Sequence, residues 1–241
     1  MRRMSERPVR IGWVVDVQND FMLPPDEGGR LYVSDLTDPA DPGARLALRA
    51  IERAVRWMRD HCDVIVYTAD WHGLDDAEID AINADPTAGT YPPHCMGRSE
   101  DPDEARGAEI VGTIRPDNPL ILDLDSDESA VPIARCALAE HRPVLIRKNR
   151  FDVFVGNSAT EAFVTAIADE MGGDPEFIVI GVSRDVCVTR AVDGLQHRGY
   201  RTTALRDATW GLGLESESST LERWADAGRV LTFEELVGAE A

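Results

Sequence analysis

The segment 177-FIVIGVSRDVCVTRAVDGL-195 places a cysteine where a protein could use it for chemistry. A run of apolar, mostly β-branched residues ends at Gly181, and Cys187 follows in what the spacing predicts as the first turn of a helix. Unpaired backbone N–H groups and the helix dipole favour an anion there, so we expect the pKa of the thiol to fall and its thiolate fraction to rise. The alternative, common among free cysteines, is that Cys187 is a small buried hydrophobic residue.

Asp16 and Lys148 each follow an apolar run and could complete a nucleophilic site. A thiolate attacks an acyl carbon when a base takes its proton, a charge holds the ion and donors receive the developing oxyanion. Asp16 could be the base and Lys148 the cation, and the backbone N–H groups of Ser183 and Cys187 could be the donors. Alternatively, Asp16 or Lys148 is half of a structural ion pair at a strand end.

A second set of residues has the composition of a metal site. Asp70 and His72 are two positions apart in an extended segment, so their side chains point the same way. His94, in the sequence YPPHC, could complete a set of one carboxylate and two imidazoles. On spacing alone this set is a modest indication of a metal.

The elements that must position these residues alternate between short apolar runs and helical periods. Strands are predicted near 10–15, 63–69, 119–124, 143–148, 177–182, 200–205 and 229–233, and helices near 44–60, 129–141, 158–171, 186–198 and 217–227. This alternation predicts a three-layer α/β/α sandwich with a mainly parallel sheet of about five or six strands. Ligands bind beyond the carboxyl ends of such strands, where Asp16, Asp70, His72, Lys148 and Cys187 all fall.

The length of 241 residues favours a single domain, 1–241, with an irregular insertion at about 73–128. Such a long irregular segment is usually functional or flexible. Its acidic stretch, 99-SEDPDEARGAE-109, is interpreted as a solvated loop, an oligomer contact or a cover over the pocket.

The net charge of −19, from 44 acidic and 25 basic residues, would repel nucleic acid and anionic membranes, so neither is expected as a partner. The charge is also consistent with nothing more than a solvated acidic surface. The four cysteines show no C-x-x-C spacing, which argues against a disulfide framework or a zinc ribbon and favours a reducing compartment. The N-terminal MRRMSERPVR precedes only a short apolar run, so we expect a cytoplasmic protein.

The ordered motifs VVDVQNDF, YTADWH, YPPHC, LIRKNRF and GVSRDVCV resemble those of the isochorismatase-like cysteine hydrolases, and among them the metal-containing nicotinamidase/pyrazinamidase branch. The resemblance runs from about residue 11 to residue 213. It implies a catalytic triad of Cys187 as nucleophile, Asp16 as proton acceptor and Lys148 as the tuning charge. It also implies a cis peptide between Val182 and Ser183, which would direct the Ser183 and Cys187 N–H groups at the oxyanion.

The same resemblance implies that Asp70, His72 and His94 bind a divalent transition metal, namely zinc, iron or manganese, which anchors and orients the substrate. Some nicotinamidases carry a further histidine six residues past the one at His72, where this chain has Glu78. Glu78 could ligate the metal, reach it through water or face solvent from a helix, and the last interpretation is slightly favoured.

Other positions bear on the substrate. An aromatic residue, commonly Trp, precedes the P-x-H-C motif in the family and stacks on the substrate ring; here it is Tyr91. Within GVSRDVCV, Ser183 replaces the usual Ala and Arg184 the usual Thr. Arg184 either points to solvent or an interface, or lies near the pocket and favours a carboxylate-bearing substrate. Phe21 and Phe154 are candidates for an apolar pocket wall, with core packing as the alternative.

Together these features predict a cysteine amidohydrolase that converts a small, nicotinamide-like carboxamide to the acid and ammonia through a thioester. Water activated by Asp16 or by the metal would hydrolyse the thioester. The small-molecule amide is the expected partner, and a homo-oligomer is expected. The alternatives are a hydrolase of another small amide or ureido compound, or a non-catalytic small-molecule binding protein on the same fold.

Overall fold

The computed structural model describes residues 9–239, so most of the N-terminal segment considered above for targeting, residues 1–8, lies outside it. Within this range the strands are β1 Arg10–Val15, β2 Val64–Asp70, β3 Leu120–Leu122, β4 Val144–Lys148, β5 Glu176–Val182, β6 Arg201–Trp210 and β7 Arg229–Leu231. The α-helices are α1 Asn19–Met22, α2 Arg45–His61, α3 Pro102–Ala105, α4 Ala130–Glu140, α5 Val153–Gly156, α6 Thr160–Glu170, α7 Thr189–His197, α8 Glu217–Ala225 and α9 Phe233–Gly238.

The strands of residues 9–239 form one seven-stranded sheet in the order β3-β4-β2-β1-β5-β6-β7, and every neighbouring pair is parallel. The predicted α/β class and parallel sheet are therefore confirmed, but the estimate of five or six strands is too low. The two edge strands, β3 and β7, have only three residues each. The organisation of 1–241 as one domain stays a prediction.

Helices cover both faces of the sheet, because alternate strand residues point to opposite sides. In β1, Ile11, Trp13 and Val15 pack into the core beneath α4, α6, α7 and α8, whereas Val14 packs into the core beneath α2 and α9. Each core is built from the apolar stripes of its helices, such as Ile51, Val55 and Met58 of α2. These two cores confirm the three-layer arrangement. No helix within residues 9–239 combines the length and apolar composition needed to cross a membrane.

A buried amide joins the carboxyl ends of the two central strands β1 and β2. The Gln18 side chain accepts a hydrogen bond from the Asp70 N–H (2.8 Å) and donates to the carbonyl oxygens of Asp70 and Ala108 (both 2.8 Å). Because all three contacts are to backbone, Gln18 fixes the end of β2 relative to β1 and to the 106–111 segment. It is a structural residue of the loop rather than a reactive group.

Candidate active site

Four buried polar side chains lie together at the carboxyl ends of four neighbouring strands. Lys148 ends β4, Asp70 ends β2, Asp16 follows β1, and Cys187 lies five residues after β5. The strand order places β4, β2, β1 and β5 side by side, so residues far apart in sequence converge. The convergence expected at the carboxyl ends of parallel strands is therefore present.

Lys148 carries the positive charge of the cluster. Its Nζ lies 2.9 Å from Asp16 Oδ2 and also contacts Asp70 Oδ1, and the side chain is 1% exposed. Burial disfavours the ammonium form, but the two carboxylates outweigh burial and raise the pKa of Lys148 well above its usual 10.5. Lys148 is therefore a permanent cation, and the same charge holds the pKa of Asp70 below its usual range despite burial.

Asp16 is positioned by its backbone and by a hydroxyl. Its φ angle is +50°, in the left-handed region, and its N–H donates to the Thr68 carbonyl at 3.2 Å. The Thr68 hydroxyl donates to Asp16 Oδ1 at 2.6 Å. Burial raises the pKa of the Asp16 carboxyl, against the opposing charge of Lys148. A carboxylate with raised proton affinity next to a fixed cation is suited to accept a proton during a reaction.

Cys187 lies in a π-helical turn, Arg184–Val188, immediately before α7, and is 6% exposed. The expected fall in its pKa is wrong. Burial raises the pKa of the thiol well above 9.0, and the carboxylates of Asp16 and Asp70 add to this effect against Lys148. The resting group is therefore a neutral thiol, so a proton acceptor is needed when it reacts. Ligand atoms of Asp16, Asp70 and Cys187 lie within 4.8 Å of one another.

The turn after β5 has the backbone conformation that the family resemblance implies. The Val182–Ser183 peptide bond is cis, and Ser183 and Cys187 line the same cavity. Asp185 holds the turn to the chain after β6: its Oδ1 accepts hydrogen bonds from the Ser183 hydroxyl (3.0 Å) and the Leu212 N–H (2.9 Å). The assignment of Ser183 and Cys187 as oxyanion donors stays a prediction.

The three predicted metal ligands are buried and close together. His72 Nε2 lies 3.9 Å from Asp70 Oδ1, and His94 Nε2 lies 3.9 Å from Asp70 Oδ2. One potential ligand atom from each of Asp70, His72 and His94 lies within 4.8 Å of the other two. The predicted set is therefore assembled in space.

Hydrogen bonds at the other imidazole nitrogens orient both histidines. His72 Nδ1 lies 3.1 Å from Asp76 Oδ2, and His94 Nδ1 lies 2.8 Å from the Pro92 carbonyl. His72 Nε2 has no hydrogen-bond partner among residues 9–239, although it is buried. Burial lowers the pKa of His94 to about 4, which keeps this imidazole in its neutral, ligating form. One carboxylate and two oriented imidazoles fit zinc or a similar transition metal.

Glu78 is buried in a turn, so the favoured interpretation of a solvent-facing helical residue is wrong. Its Oε1 accepts a hydrogen bond from the Phe151 N–H at 2.9 Å, and its Oε2 has no partner in the described part of the chain. Burial and the nearby Asp70 raise the pKa of Glu78 to about 7. Glu78 does not belong to the compact ligand group formed by Asp70, His72 and His94. Its role as a further ligand stays a prediction.

A narrow, mostly apolar cavity lies over Cys187 and the neighbouring buried charges. Phe21 and Tyr91 lie in its wall as predicted, with the Phe21 ring centroid 5.4 Å from that of His94. Phe151, missed at the sequence level, packs edge-on against Tyr91 with centroids 5.7 Å apart. Its place in LIRKNRF, three residues past Lys148, was the available signal. The remaining wall has no signature in the sequence and comprises Leu31, Val33, Val186 and Leu212.

Two predicted pocket residues lie elsewhere. Phe154 packs beneath the guanidinium of Arg198, 3.7 Å from ring centroid to Cζ, because the short helix α5 turns it toward α7. Arg184 donates to the Thr209 hydroxyl (3.1 Å) and pairs with Glu217 (2.8 Å) in a cleft beside the cavity. Neither residue lines the cavity over Cys187. This geometry favours the alternatives stated for both residues, packing for Phe154 and a position outside the pocket for Arg184.

No family model matches the sequence, and no curated protein matches it either. Solved structures do match. An isochorismatase-like hydrolase from Alkaliphilus metalliredigens is 17% identical with a TM-score of 0.65, over 97% of this chain and 100% of the other. The pyrazinamidase of Pyrococcus horikoshii in complex with zinc is 22% identical with a TM-score of 0.61, over 94% and 100%. PnC1 from L. infantum in complex with nicotinate is 19% identical with a TM-score of 0.65, over 95% of both chains.

At these identities the similarity establishes the fold, and it is the fold that the five sequence motifs imply. The chain therefore has the isochorismatase-like hydrolase fold.

Proposed function

We propose that this protein is a cysteine-dependent amidohydrolase that converts a small, uncharged aromatic carboxamide of the nicotinamide type to the acid and ammonia. One observation carries the proposal: buried Cys187, Asp16 and Lys148 meet beneath an apolar cavity whose wall also holds Asp70 and His94. Structures with the same fold include a pyrazinamidase in complex with zinc and a protein in complex with nicotinate, which supports this assignment.

The first half of the reaction forms a thioester. The Cys187 sulfur bonds to the carboxamide carbon while its proton passes to the Asp16 carboxylate, and the carbonyl electron pair moves onto oxygen. The backbone N–H groups of Ser183 and Cys187 receive this oxyanion. When the oxyanion collapses, the carbon–nitrogen bond breaks and the leaving nitrogen takes the proton from Asp16, which releases ammonia. Lys148 stays protonated and stabilises the negative charge that moves between sulfur and carboxylate.

The second half hydrolyses the thioester. Asp16, again ionised, takes a proton from water as the water oxygen bonds to the acyl carbon. The carbon–sulfur bond then breaks, the acid leaves, and the proton on Asp16 returns to the Cys187 sulfur. The buried carboxylate thus serves each half-reaction first as base and then as acid, a role for which its raised pKa is suited.

Asp70, His72 and His94 would hold a divalent transition metal. Such an ion supplies Lewis acidity and an anchoring point for a substrate donor atom. The side chains around it have their own part: Asp76 and the Pro92 carbonyl orient the imidazoles, and Lys148 shares the Asp70 carboxylate. Sharing this carboxylate couples the charge of the metal site to that of the triad.

The cavity restricts the substrate in size and charge. The cavity is narrow, with only about 20 Å³ of space for a water-sized sphere, which excludes large substrates. Phe21, Tyr91 and Phe151 contribute flat apolar faces and edges, and Lys148, the cation nearest the reacting atoms, is already paired with two carboxylates. A compact aromatic amide fits this lining, whereas a carboxylate-bearing ureido acid would lack a free cationic partner.

The test is ammonia release from nicotinamide, pyrazinamide, aliphatic carboxamides and ureido acids, measured with and without added Zn²⁺, Fe²⁺ or Mn²⁺. We expect turnover of the aromatic amides, and loss of turnover in Cys187→Ala. Near wild-type turnover by Cys187→Ala would refute the thioester mechanism. Preference for ureido acids would refute the proposed substrate class while leaving the mechanism intact.

A further inference from the structure

Asp20 is a buried carboxylate that the proposed reaction does not use. It lies four residues after Asp16, in helix α1, and is 1% exposed. Its Oδ2 accepts a hydrogen bond from the Cys95 N–H at 2.6 Å, and its Oδ1 accepts one from the Arg30 N–H at 3.1 Å. Both donors are backbone groups of segments distant in sequence, so the carboxylate joins three separate stretches of chain.

Each of the three stretches contributes to the wall of the candidate site. Phe21 follows Asp20, His94 precedes Cys95, and Leu31 follows Arg30, and all three neighbours line the cavity. The backbone of Asp20 adds to these links, because its carbonyl accepts a hydrogen bond from the Leu31 N–H at 3.1 Å. One residue therefore sets the relative positions of an aromatic wall, an apolar wall and a metal ligand.

The link to Cys95 reaches both histidines. Cys95 has a φ angle of +45°, a left-handed conformation that is unfavourable for a residue with a side chain and persists only where its surroundings hold it. The Asp20 carboxylate holds its N–H, and the Cys95 carbonyl accepts a hydrogen bond from the His72 N–H at 2.9 Å. The segment that carries His94 is thus tied to the segment that carries His72.

Close packing around the Asp20 carboxylate restricts where it can lie. A Cβ atom added at Gly107 would lie 2.1 Å from Asp20 Oδ2, so the backbone at residue 107 packs directly against it. The Cys95 thiol also contacts the Gly107 carbonyl, at 3.8 Å. A displaced carboxylate would therefore have to move the Cys95 segment with it.

We propose that Asp20 is a positioning residue that holds His72 and His94 in their ligating arrangement through the backbone of Cys95. This inference rests on the proposed metal site. In proteins, side chains that orient metal ligands affect metal affinity by about 10- to 100-fold when they are replaced. If Asp20 only stabilised its own loop, its replacement would lower the stability of the protein without changing its metal affinity.

The test is Zn²⁺ affinity by chelator competition, together with the absorption spectrum of the Co²⁺-loaded protein. Asp20→Asn keeps the size but presents an amide NH₂ to one of the two N–H donors. We expect its Zn²⁺ affinity to fall about 10- to 100-fold and its Co²⁺ bands to shift. Gly107→Ala, which displaces the carboxylate without removing its charge, should act in the same direction. It provides the second measurement if Asp20→Asn folds poorly.

Two variants serve as matched controls. Glu176→Gln alters a buried carboxylate at the amino-terminal end of β5, on the side of the sheet away from the site. Gly112→Ala adds a Cβ with no atom within 4 Å of it. Both should leave Zn²⁺ affinity and the Co²⁺ spectrum unchanged. Unchanged values in Asp20→Asn and Gly107→Ala as well would overturn the inference. Absence of Zn²⁺ and Co²⁺ binding by the wild-type protein would instead refute the metal site, and the role of Asp20 with it.

Discussion

At the scale of single residues, the candidate site depends on how two buried carboxylates share one lysine. Asp16 and Asp70 both contact Lys148, yet burial raises the pKa of Asp16 whereas Lys148 holds that of Asp70 below its usual range. The two carboxylates are therefore suited to different tasks: Asp70 remains an anion, and Asp16 can exchange a proton with Cys187. This division is the pattern by which paired acids acquire separate roles.

Asp16→Asn tests the proton-transfer role. The amide keeps an oxygen to accept the Thr68 hydroxyl but cannot accept a proton from the thiol, so we expect kcat to fall by at least about 100-fold. Steady-state ammonia release is the measurement. Asp85→Asn, an equivalent change at an exposed turn, is the control and should retain full activity. A kcat for Asp16→Asn within a few fold of wild type would exclude Asp16 as the base.

Residue types and their places at strand ends were sufficient to group Asp16, Asp70, His72, Lys148 and Cys187, whereas His94 was added from the YPPHC motif in the irregular insertion. The protonation of Cys187 was not predictable, since a helix N-terminus favours a thiolate, whereas the actual turn is buried beside two carboxylates. The choice between pocket wall and core packing stayed open for Phe154, because its orientation depends on α5 packing against α7. Arg184 lies outside the cavity because it binds Glu217 and Thr209, which are distant in sequence and so are not identified by a local pattern.

At the scale of elements, the loop after β2 and the loop containing His94 meet at a position without a side chain. A Cβ at Gly97 would lie 2.2 Å from the ring of Trp71, and the Arg147 guanidinium lies over the same ring, 3.9 Å from its centroid. Trp71 separates the proposed ligands Asp70 and His72, so the close approach at Gly97 brings the third proposed ligand, His94, near the other two.

Gly97→Ala should therefore force the two loops apart. We expect a loss of about 1–3 kcal/mol in the free energy of unfolding, the usual cost of overpacking. Urea denaturation measures this quantity. Gly112→Ala, which has open space around it, should change stability far less. Equal effects of the two substitutions would show that the contact between Gly97 and Trp71 contributes nothing specific.

Periodicity predicted the starts of the strands and main helices to within a few residues, although β6 continues to Trp210, five residues past its predicted end. Within the insertion at 73–128 it identified only β3, because the rest of the chain there forms short pieces such as the four-residue helix α3. That segment nevertheless provides Tyr91 and His94 through loop backbone hydrogen bonds rather than through a regular element. The acidic stretch within it forms α3, and Glu104 there pairs with Arg30.

At the scale of the whole molecule, the amino-terminal ends of the strands, opposite the site, contain one buried carboxylate surrounded by donors. Glu176 accepts hydrogen bonds from Arg10 (3.2 Å) and the Thr203 hydroxyl (2.6 Å) and also pairs with Arg229. Burial opposes ionisation, but these donors outweigh it and hold the pKa of Glu176 below its ordinary 4.5. These contacts tie β1, β5, β6 and β7 together.

A lowered pKa makes the contribution of Glu176 depend on pH. Its stabilisation is fully present above pH 4.5 and is lost as pH falls through the folded-state pKa. Glu176→Gln should therefore be less stable than wild type at pH 7, with a difference that narrows in acid. Thermal unfolding from pH 7 down to pH 3 measures this. A difference that stays constant with pH would contradict ionisation as its cause.

Metal binding should stabilise the whole fold by mass action. At Zn²⁺ concentrations near 100 times its dissociation constant, we expect the free energy of unfolding to rise by about 2.7 kcal/mol over the metal-free protein. Unfolding in urea at several Zn²⁺ concentrations measures the increase. His94→Ala should abolish it. If that variant responds to Zn²⁺ like wild type, the ion binds elsewhere. Oligomerisation and a cytoplasmic location stay predictions.

The strand order also constrains how the protein can be made. β1 lies at the centre of the sheet, yet its partner β5 comes some 160 residues later in the chain, at Glu176–Val182. As the chain leaves the ribosome, β1 can pair with β2 while its other edge remains an open template for unwanted strand pairing. That edge is covered only when the strand preceding Cys187 is synthesised. Covering this edge of β1 and assembling the candidate site are therefore coupled, and chains truncated before β5 would achieve neither.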